Sequence, residues 1–245
     1  MDSAGVWLII GVQASGKSTI ASLLAERFER SVHIPGGEFY RWVTRGWIPM
    51  DKPEPPGARA HLDLRYRLSA LVADEYARAG FAAIVQDNIY GDDVLNWLNR
   101  VTMRPRRLVV LRPRLHVVAA REDERKRVTG KIAYRPNSWT IEDLDAALGA
   151  LPKIGLWVDN SESTPRDTAE EIMSRQGEAL IDGTPPPHSL EDIHTIMITR
   201  TRMSPLVCMS ARAHEATWVR PAWLLLDLSY RGLRRYAARC SEMPV

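Results

Sequence analysis

Residues 11–19 read GVQASGKST, with two glycines separated by four residues and followed by lysine and serine. An apolar run at residues 6–10 precedes this segment, and residues 19–28 carry apolar side chains at helical spacing. The order predicts a buried strand, a glycine-rich loop and an amphipathic helix, which is the context in which such a loop binds phosphate. The alternative is a tight turn without a ligand, and the flanking strand and helix argue against it.

The residue types in this segment suit a nucleoside triphosphate. Backbone N–H groups around the glycines can surround a phosphate, and the helix N-terminus adds its dipole. Lys17 adds a point positive charge, and the Ser18 hydroxyl can ligate Mg²⁺. The predicted nucleotide-binding residues in the loop are Gly11, Gln13, Ala14, Ser15, Gly16, Lys17, Ser18 and Thr19.

Composition agrees with an α/β enzyme that contains a substantial core. The chain has 245 residues, 45% of them hydrophobic, and no apolar run approaches the roughly 20 residues that span a bilayer. Residues 1–5 have neither the basic start nor the cleavage site of a secretory signal, so we expect a cytoplasmic protein without membrane insertion. Cys208 and Cys240 form no disulfide framework or metal cluster, and a net charge of +3 does not demand nucleic acid.

Strand and helix patterns alternate along the first three quarters of the chain. Short β-branched runs predict strands, and longer periodic segments predict the helices between them. The predicted strands are residues 6–10, 32–34, 82–86, 108–111 and 155–159, and the predicted helices are residues 38–45, 59–78, 92–101, 141–148 and those beginning near 114 and 165. Such alternation favours parallel strands joined by helical crossovers over a helical bundle.

The composition changes after residue 181. Residues 183–187 read GTPPP, which indicates a linker, and no lysine follows it. We therefore divide the chain into a domain at 1–182 and an extension at 183–245. Residues 221–240 predict a helix with an arginine cluster. One interpretation is that this helix contacts an anionic membrane surface or an acidic partner. The interpretation that we favour is that it docks on its own domain or is poorly ordered.

Two carboxylates are candidates for acceptor activation or metal binding. Asp87 follows the third predicted strand, at the sheet edge where ligands of parallel sheets bind, and could hold Mg²⁺ or accept a proton. Glu38 follows the second strand and would face the same edge. The structural alternatives are a helix cap for Asp87 and an exposed first-turn glutamate for Glu38.

A basic series follows the fourth strand. Arg121 and Arg125 share one helix face, and a Gly- and Pro-containing segment beyond them predicts a flap that closes over a triphosphate. Interleaved acidic residues allow a different interpretation, a solvated and paired helix face. The full series is Arg121, Arg125, Lys126, Arg127, Lys131 and Arg135.

Four aromatic residues lie in the predicted loop and helix from Trp42 to Tyr66. Trp42, Trp47, His61 and Tyr66 could line a pocket for an organic acceptor, although aromatics at such spacing often belong to a core.

With these residues in view, the chain resembles the P-loop small-molecule kinases, in particular the group that includes chloramphenicol phosphotransferase and related bacterial ATP-binding proteins. The resemblance spans roughly residues 6–180. Its carriers are residues 11–19, 31–39, 85–87, 121–131 and 139–144. It implies a three-layer α/β sandwich with a five-stranded parallel sheet in the order 2-3-1-4-5, a helical arginine lid, and ATP with Mg²⁺.

The resemblance also implies transfer of the γ-phosphoryl group to a hydroxyl. Relatives place an aspartate after the second strand as the base, whereas this chain has Gly37 at the matching position. Either Glu38 replaces that aspartate, Asp87 does its work, or transfer is slow. The predicted catalytic residues are Lys17, Asp87, Glu38, Arg121 and Arg125, with Ser18 and Asp87 as metal ligands.

The function predicted in this way is an ATP-dependent phosphotransferase that acts on a hydroxyl of a small molecule, an antibiotic or a metabolite. A polynucleotide 5′-hydroxyl kinase is the first alternative, but it would need a basic groove that the modest net charge does not favour. An ATPase or nucleotide switch without an acceptor is the second. The sequence does not identify the acceptor or the oligomeric state.

Overall fold

The computed structural model of the chain describes residues 5–130, 132–134 and 138–181. Its strands are β1 (Val6–Gly11), β2 (Ser31–Pro35), β3 (Ala82–Asp87), β4 (Arg106–Leu111) and β5 (Leu156–Val158). Its helices are α1 (Lys17–Ala25), α2 (Glu38–Arg41), α3 (Ala58–Arg78), α4 (Asp92–Arg100), α5 (Leu115–Thr129), α6 (Ile141–Gly149) and α7 (Pro165–Ser174). The predicted tail at 183–245 lies outside the described residues.

The five strands form one parallel sheet in the order β2-β3-β1-β4-β5. This confirms the predicted α/β fold class and strand order. Every residue of β1, β3 and β4 is buried, because these three strands have sheet neighbours on both edges and helices on both faces.

Each face of the sheet has its own apolar layer. Helices α3 and α4 cover one face with side chains that include Tyr66 and Trp97, and α1 and α7 cover the other with Leu24 and Ile172. The apolar positions of these helices recur every three or four residues, so one side of each helix is buried against the sheet. The result is the predicted three-layer arrangement.

The boundaries of strand β4 and helix α2 differ from the sequence prediction. Strand β4 begins at Arg106, two residues before the predicted start, because the interior accommodates both arginines at its start. Arg106 Nη1 donates to the carbonyl of Leu98 at 2.6 Å, and the Arg107 guanidinium lies 4.7 Å from the Trp7 ring centroid. Helix α2 ends at Arg41 and not at residue 45.

The strand register brings the candidate residues to one edge of the sheet. Ile10, next to the glycine-rich loop, pairs with Asp87, and Pro35, next to Gly36 and Gly37, pairs with Gln86. The carboxyl ends of parallel strands lie at the same edge, so the loops after β1, β2 and β3 meet there. Among the described helices, none is both long and apolar enough to cross a membrane.

Candidate active site

The loop between β1 and α1 has the conformation of an anion-binding loop. Ala14 and Gly16 have left-handed backbones, with φ of 64° and 97°. Alternation of right- and left-handed residues turns successive N–H groups to one side of the chain. Gly16 caps α1 without a side-chain hydrogen bond, and the first turn of α1 contains no acidic residue. The helix N-terminus is therefore open to an anion.

Side chains of Lys17 and of three residues distant in sequence donate hydrogen bonds to the carbonyl oxygens of this loop. Gly11 O accepts from Lys17 Nζ (3.0 Å) and Tyr90 OH (3.4 Å), Val12 O from Lys17 Nζ (2.7 Å), Gln13 O from Tyr134 OH (2.9 Å), and Ser15 O from Asn160 Nδ2 (3.0 Å). Because the carbonyls are engaged by these donors, the opposite side of the loop presents its N–H groups. This arrangement fits phosphate oxygens.

A cavity of about 830 Å³ surrounds the loop and the start of α1. We call it the phosphate-side cavity. Its wall includes Gln13 and residues 16–20, Asp87 at the end of β3, Arg121 and Arg125 of α5, and Asn160. The cavity thus brings together one predicted carboxylate, both predicted arginines and six of the eight predicted loop residues, all but Gly11 and Ser15.

Lys17 is buried in a strongly positive environment. Lys17 is only 7% exposed to solvent. Burial first, and then the positive charges of Arg125 and Arg65, lower its pKa from 10.5 to about 7. A negatively charged ligand in the phosphate-side cavity would offset this repulsion.

Asp87 forms a buried ion pair that the sequence did not suggest. Its carboxylate is 0% exposed and is bound through both oxygens by Arg65 of α3, whose Nε lies 3.0 Å from Oδ2. The backbone N–H of Asn88 also donates to Oδ1 at 2.6 Å. A Cβ on Gly36 would overlap this carboxylate, so the close approach of β2 requires glycine there. Asp87 therefore fixes the orientation of Arg65.

Glu38 and Gly37 differ in their relation to the cavity. The Glu38 carboxylate pairs with Arg41 within α2 and is not part of the cavity wall. Gly37 lines the phosphate-side cavity, has a right-handed backbone with φ of −60°, and would place a Cβ in open space. The position can consequently hold an aspartate without backbone strain.

The basic residues of α5 divide between the cavity and the surface. Arg121 donates to the carbonyls of Asn160 at 2.8 Å and Ser15 at 3.5 Å, so it lies against the phosphate-binding loop. Arg125 lines the cavity and pairs with Glu122. Glu122 in turn accepts from the N–H of Ala133 at 2.7 Å, which ties α5 to the segment that follows it.

Farther along α5, Arg127 pairs with Glu124 on an exposed face. The solvated-face interpretation therefore describes Arg127, whereas Arg121 and Arg125 line the phosphate-side cavity. Lys126 is exposed, and Lys131 and Arg135 lie outside the described residues.

A second cavity of about 380 Å³ adjoins the first, and we call it the acceptor-side cavity. Gln13, Arg65, Asn88 and Ala133 line both cavities, so they form a shared wall. Aromatic rings line much of the remainder. They belong to Tyr40, Trp47, Tyr66, Tyr90 and Trp139.

The structure separates the four aromatic residues singled out in the sequence. Trp47 and Tyr66 line the acceptor-side cavity. Trp42 is 69% exposed and packs edge-on against Phe39, and His61 Nδ1 accepts a hydrogen bond from the N–H of Ile48 at 3.2 Å. Trp42 and His61 are outside the cavity wall.

Sequence reasoning missed several residues that shape the site. Arg65 is the clearest case, although it interrupts the apolar stripe that Leu62, Tyr66 and Ala70 mark on α3, which is a detectable signal. Asn160 follows β5 at the same sheet edge as Asp87 and could have been found by its position. Tyr134 binds the loop from 121 residues away in sequence, and no local pattern reveals that contact.

The residues present fit a Mg²⁺ ion that is held mainly by a nucleotide. Ser18 is exposed and lines the phosphate-side cavity. Across the described part of the chain, no three His, Cys, Asp or Glu residues converge as a metal cluster. Mg²⁺ in phosphate-transfer sites commonly uses one or two protein ligands together with substrate phosphates.

Comparison with known proteins identifies the fold. No protein-family model matches the chain, and no curated protein matches it either. Among solved structures, an unliganded sugar kinase from Janibacter sp. HTCC2649 superposes with a TM-score of 0.52 at 17% identity, over 72% of this chain and 96% of that one.

The tunicamycin resistance protein of Deinococcus radiodurans superposes with a TM-score of 0.50 at 21% identity, over 72% of this chain and 98% of that one. Identities this low show a common fold and leave the substrate open. The described part of the chain therefore has the fold of the P-loop kinases.

Proposed function

We propose that this protein transfers the γ-phosphoryl group of ATP to a hydroxyl of a small molecule. The observation that carries the proposal is the pair of adjoining cavities with a shared wall. One cavity is built around a phosphate-binding loop, and the other is enclosed largely by aromatic rings. A kinase needs this juxtaposition, because the transferred group must be in line between its donor and its acceptor.

On the phosphate side, the loop N–H groups and Lys17 would bind the phosphates of ATP, and the Ser18 hydroxyl would contribute a ligand to Mg²⁺. Bound Mg²⁺ supplies neutralisation of phosphate charge. Arg121 and Arg125 project from α5 toward the same space. Their charges would stabilise the negative charge that spreads over the phosphoryl oxygens during transfer.

Between the two cavities, Arg65 would contact the transferred group. Its guanidinium is held by Asp87 and lies 4.8 Å from the ring centroid of Tyr40, so its position is set from two sides. A preorganised positive group costs no reorganisation during the reaction. This assigns to Asp87 the positioning of Arg65 in addition to the acceptor or metal contact expected from the sequence.

Of the two carboxylates, Asp87 is the one that could accept the hydroxyl proton, and it could do so only by releasing Arg65, which binds both of its oxygens. Asp87 lines the phosphate-side cavity, whereas Glu38 lies outside both cavities and pairs with Arg41. Phosphoryl transfer passes through a loose transition state that needs little help from a base. The absence of an aspartate at Gly37 is therefore compatible with turnover.

The acceptor-side cavity also argues against the two alternatives, a polynucleotide 5′-hydroxyl kinase and an ATPase or nucleotide switch without an acceptor. Its volume of about 380 Å³ fits a small molecule, and a polynucleotide would need an open basic groove that tracks phosphates. An ATPase or switch without an acceptor would leave an aromatic cavity beside the reacting phosphate without a use.

The proposal is tested by screening hydroxyl compounds, antibiotics included, for ADP release that depends on the compound. Each hit is checked by mass spectrometry for a product heavier by one phosphoryl group, with the Lys17→Ala protein as the control. Stoichiometric ADP and phosphorylated product would support the kinase. ADP release that no compound stimulates would favour the ATPase.

A further inference from the structure

We propose that the acceptor-side cavity selects a compact acceptor that carries a positively charged amino group. This inference rests on the proposed function, because it names the class of acceptor for the same site. Its basis is a cavity whose unmatched groups are negative or electron-rich.

Charge pairing in the cavity wall leaves one carboxylate over. Arg59 pairs with Asp93 across α3 and α4, and the charge of Arg65 is matched by Asp87. Asp51, half-buried in the loop before α3, also lines the cavity and has neither an ion pair nor a hydrogen bond with another described residue. Each arginine of this wall thus has an aspartate partner, whereas the carboxylate of Asp51 has no partner among the described residues.

Two uncharged polar groups of the shared wall also favour a ligand that donates hydrogen bonds. The amide oxygens of Gln13 and Asn88 are buried and have no hydrogen-bond partner among the described residues. Neither oxygen is exposed to the cavity, so a ligand N–H or O–H group would reach one of them only after rotation of the amide. Such a contact would be favoured, because a buried acceptor without a donor is costly. An ammonium offers three donors, and a hydroxyl offers one.

The aromatic wall adds a third attraction for cations. The π faces of tyrosine and tryptophan carry partial negative charge and bind ammonium groups. Two rings of this wall already have cations over them: Arg65 lies 4.8 Å from the Tyr40 centroid, and Lys52 lies 4.9 Å from the Trp139 centroid. Trp47, Tyr66 and Tyr90 also line the cavity and have no such contact with a described cation.

Size sets the other limit on the acceptor. At about 380 Å³ the cavity is near the lower end of the range for small-molecule sites. The favoured ligand is therefore a compact amino alcohol with an apolar body, and not an anionic or extended molecule.

The test uses matched pairs of alcohols that differ only in charge. Phenylalaninol, leucinol and choline are each compared with the neutral analogue in which a methyl or tert-butyl group replaces the ammonium. Binding to the full chain is measured by calorimetry without nucleotide, and phosphoryl transfer is then measured with ATP. At least one ammonium compound should bind at least about tenfold more tightly than its analogue.

Asp51→Asn should bring the affinity for that ammonium compound to within about twofold of the affinity for its neutral analogue. Glu29→Gln, which removes an exposed negative charge remote from both cavities, should leave the preference unchanged. Equal binding of the paired compounds, no binding of any ammonium compound, or a preference that survives Asp51→Asn would overturn the inference. If Asp51→Asn fails to fold, the comparison within the wild-type protein decides alone.

The two proposals fail in different ways. Selective binding of ammonium compounds without phosphoryl transfer to any of them would support the cation site and contradict the kinase. Transfer to neutral and ammonium alcohols with equal kcat/KM would support the kinase and contradict the cation site.

Discussion

The phosphate-side and acceptor-side cavities are neighbours, but they are built in different ways. Seven of the nineteen described residues that line the phosphate-side cavity come from one loop and one helix start that are contiguous in sequence. The acceptor-side cavity draws on α2, α3, α4, α6 and the loops after β1 and β3. Backbone groups in a short loop can recognise any triphosphate, whereas side chains from many elements are needed to recognise one acceptor.

The two cavities also differ in charge. Lys17, Arg65, Arg121 and Arg125 surround the phosphate side. Burial first, and then the charges of Arg125 and Arg65, lower the pKa of Lys17. On the acceptor side, the arginines are paired with aspartates. The first cavity is therefore suited to a polyanion and the second is not.

The largest effect is expected from Lys17→Ala. Loss of the lysine removes a positive charge from the centre of the phosphate side, so phosphoryl transfer should fall by at least about 10²-fold while the fold persists. Steady-state kinetics and circular dichroism measure the two quantities. Lys126→Ala, on the exposed face of α5, is the matched control; near-normal turnover of a folded Lys17→Ala protein would refute the assignment of the phosphate side.

Asp87→Asn tests the shared wall. It leaves the buried Arg65 without its counter-charge, so the free energy of unfolding should fall by about 3 kcal/mol. Transfer and background ATP hydrolysis should both decrease, because Arg65 loses its fixed position. Urea unfolding and kinetics of the same preparation provide the data, with Asp63→Asn, a partly exposed carboxylate of α3, as the control. An unchanged free energy of unfolding would mean that the ion pair between Asp87 and Arg65 does not stabilise the shared wall.

Arg121→Ala and Arg125→Ala test whether the lid arginines act on the transition state. Each should reduce kcat by about 10- to 100-fold and change ATP affinity much less, because the charge they meet develops during transfer. Arg127→Ala, whose partner Glu124 is on the exposed face, should have little effect. Equal losses in kcat and ATP affinity would instead indicate that the arginines bind the ground state.

Gly37→Asp sharpens the question of the base. The position faces the phosphate-side cavity and has open space for a Cβ, so the new carboxylate should raise transfer. The gain should be only several-fold, below the roughly 10²- to 10⁴-fold typical of a general base, because a loose transition state needs little help from a base. Glu38→Gln is the neighbouring control and should alter transfer by less than about twofold. A large loss in Glu38→Gln would show that this side chain leaves Arg41 to act as the base.

The smallest expected effect is a pH dependence of stability that originates at Lys17. Its pKa is about 7 in the folded protein, whereas the ordinary value of 10.5 applies to the unfolded chain, in which the side chain is hydrated. Between these values the unfolded state binds more protons, so stability should rise with pH by at most about 1.4 kcal/mol per unit. Urea unfolding at two pH values in this window measures the slope, which should be smaller in Lys17→Met. Parallel slopes in both proteins would contradict the lowered pKa.

The strand order of the sheet followed from the resemblance to the P-loop kinases. The sequence by itself indicated the alternation of strands and helices, the glycine-rich loop and the candidate arginines of α5. Local patterns are enough for these features, because a glycine-rich loop between a buried strand and a helix has one common structural use, and its backbone performs the recognition. The strand and helix periods likewise depend on neighbouring residues alone.

Only the tertiary structure decided how side chains far apart in sequence combine. It paired Asp87 with Arg65, turned Glu38 toward Arg41 and away from both cavities, and brought Tyr134 to the carbonyl of Gln13. These contacts join residues on different elements or depend on the direction of one side chain, and sequence periodicity carries no information on either. The acceptor-side cavity is made of such contacts, so its shape and charge follow from packing.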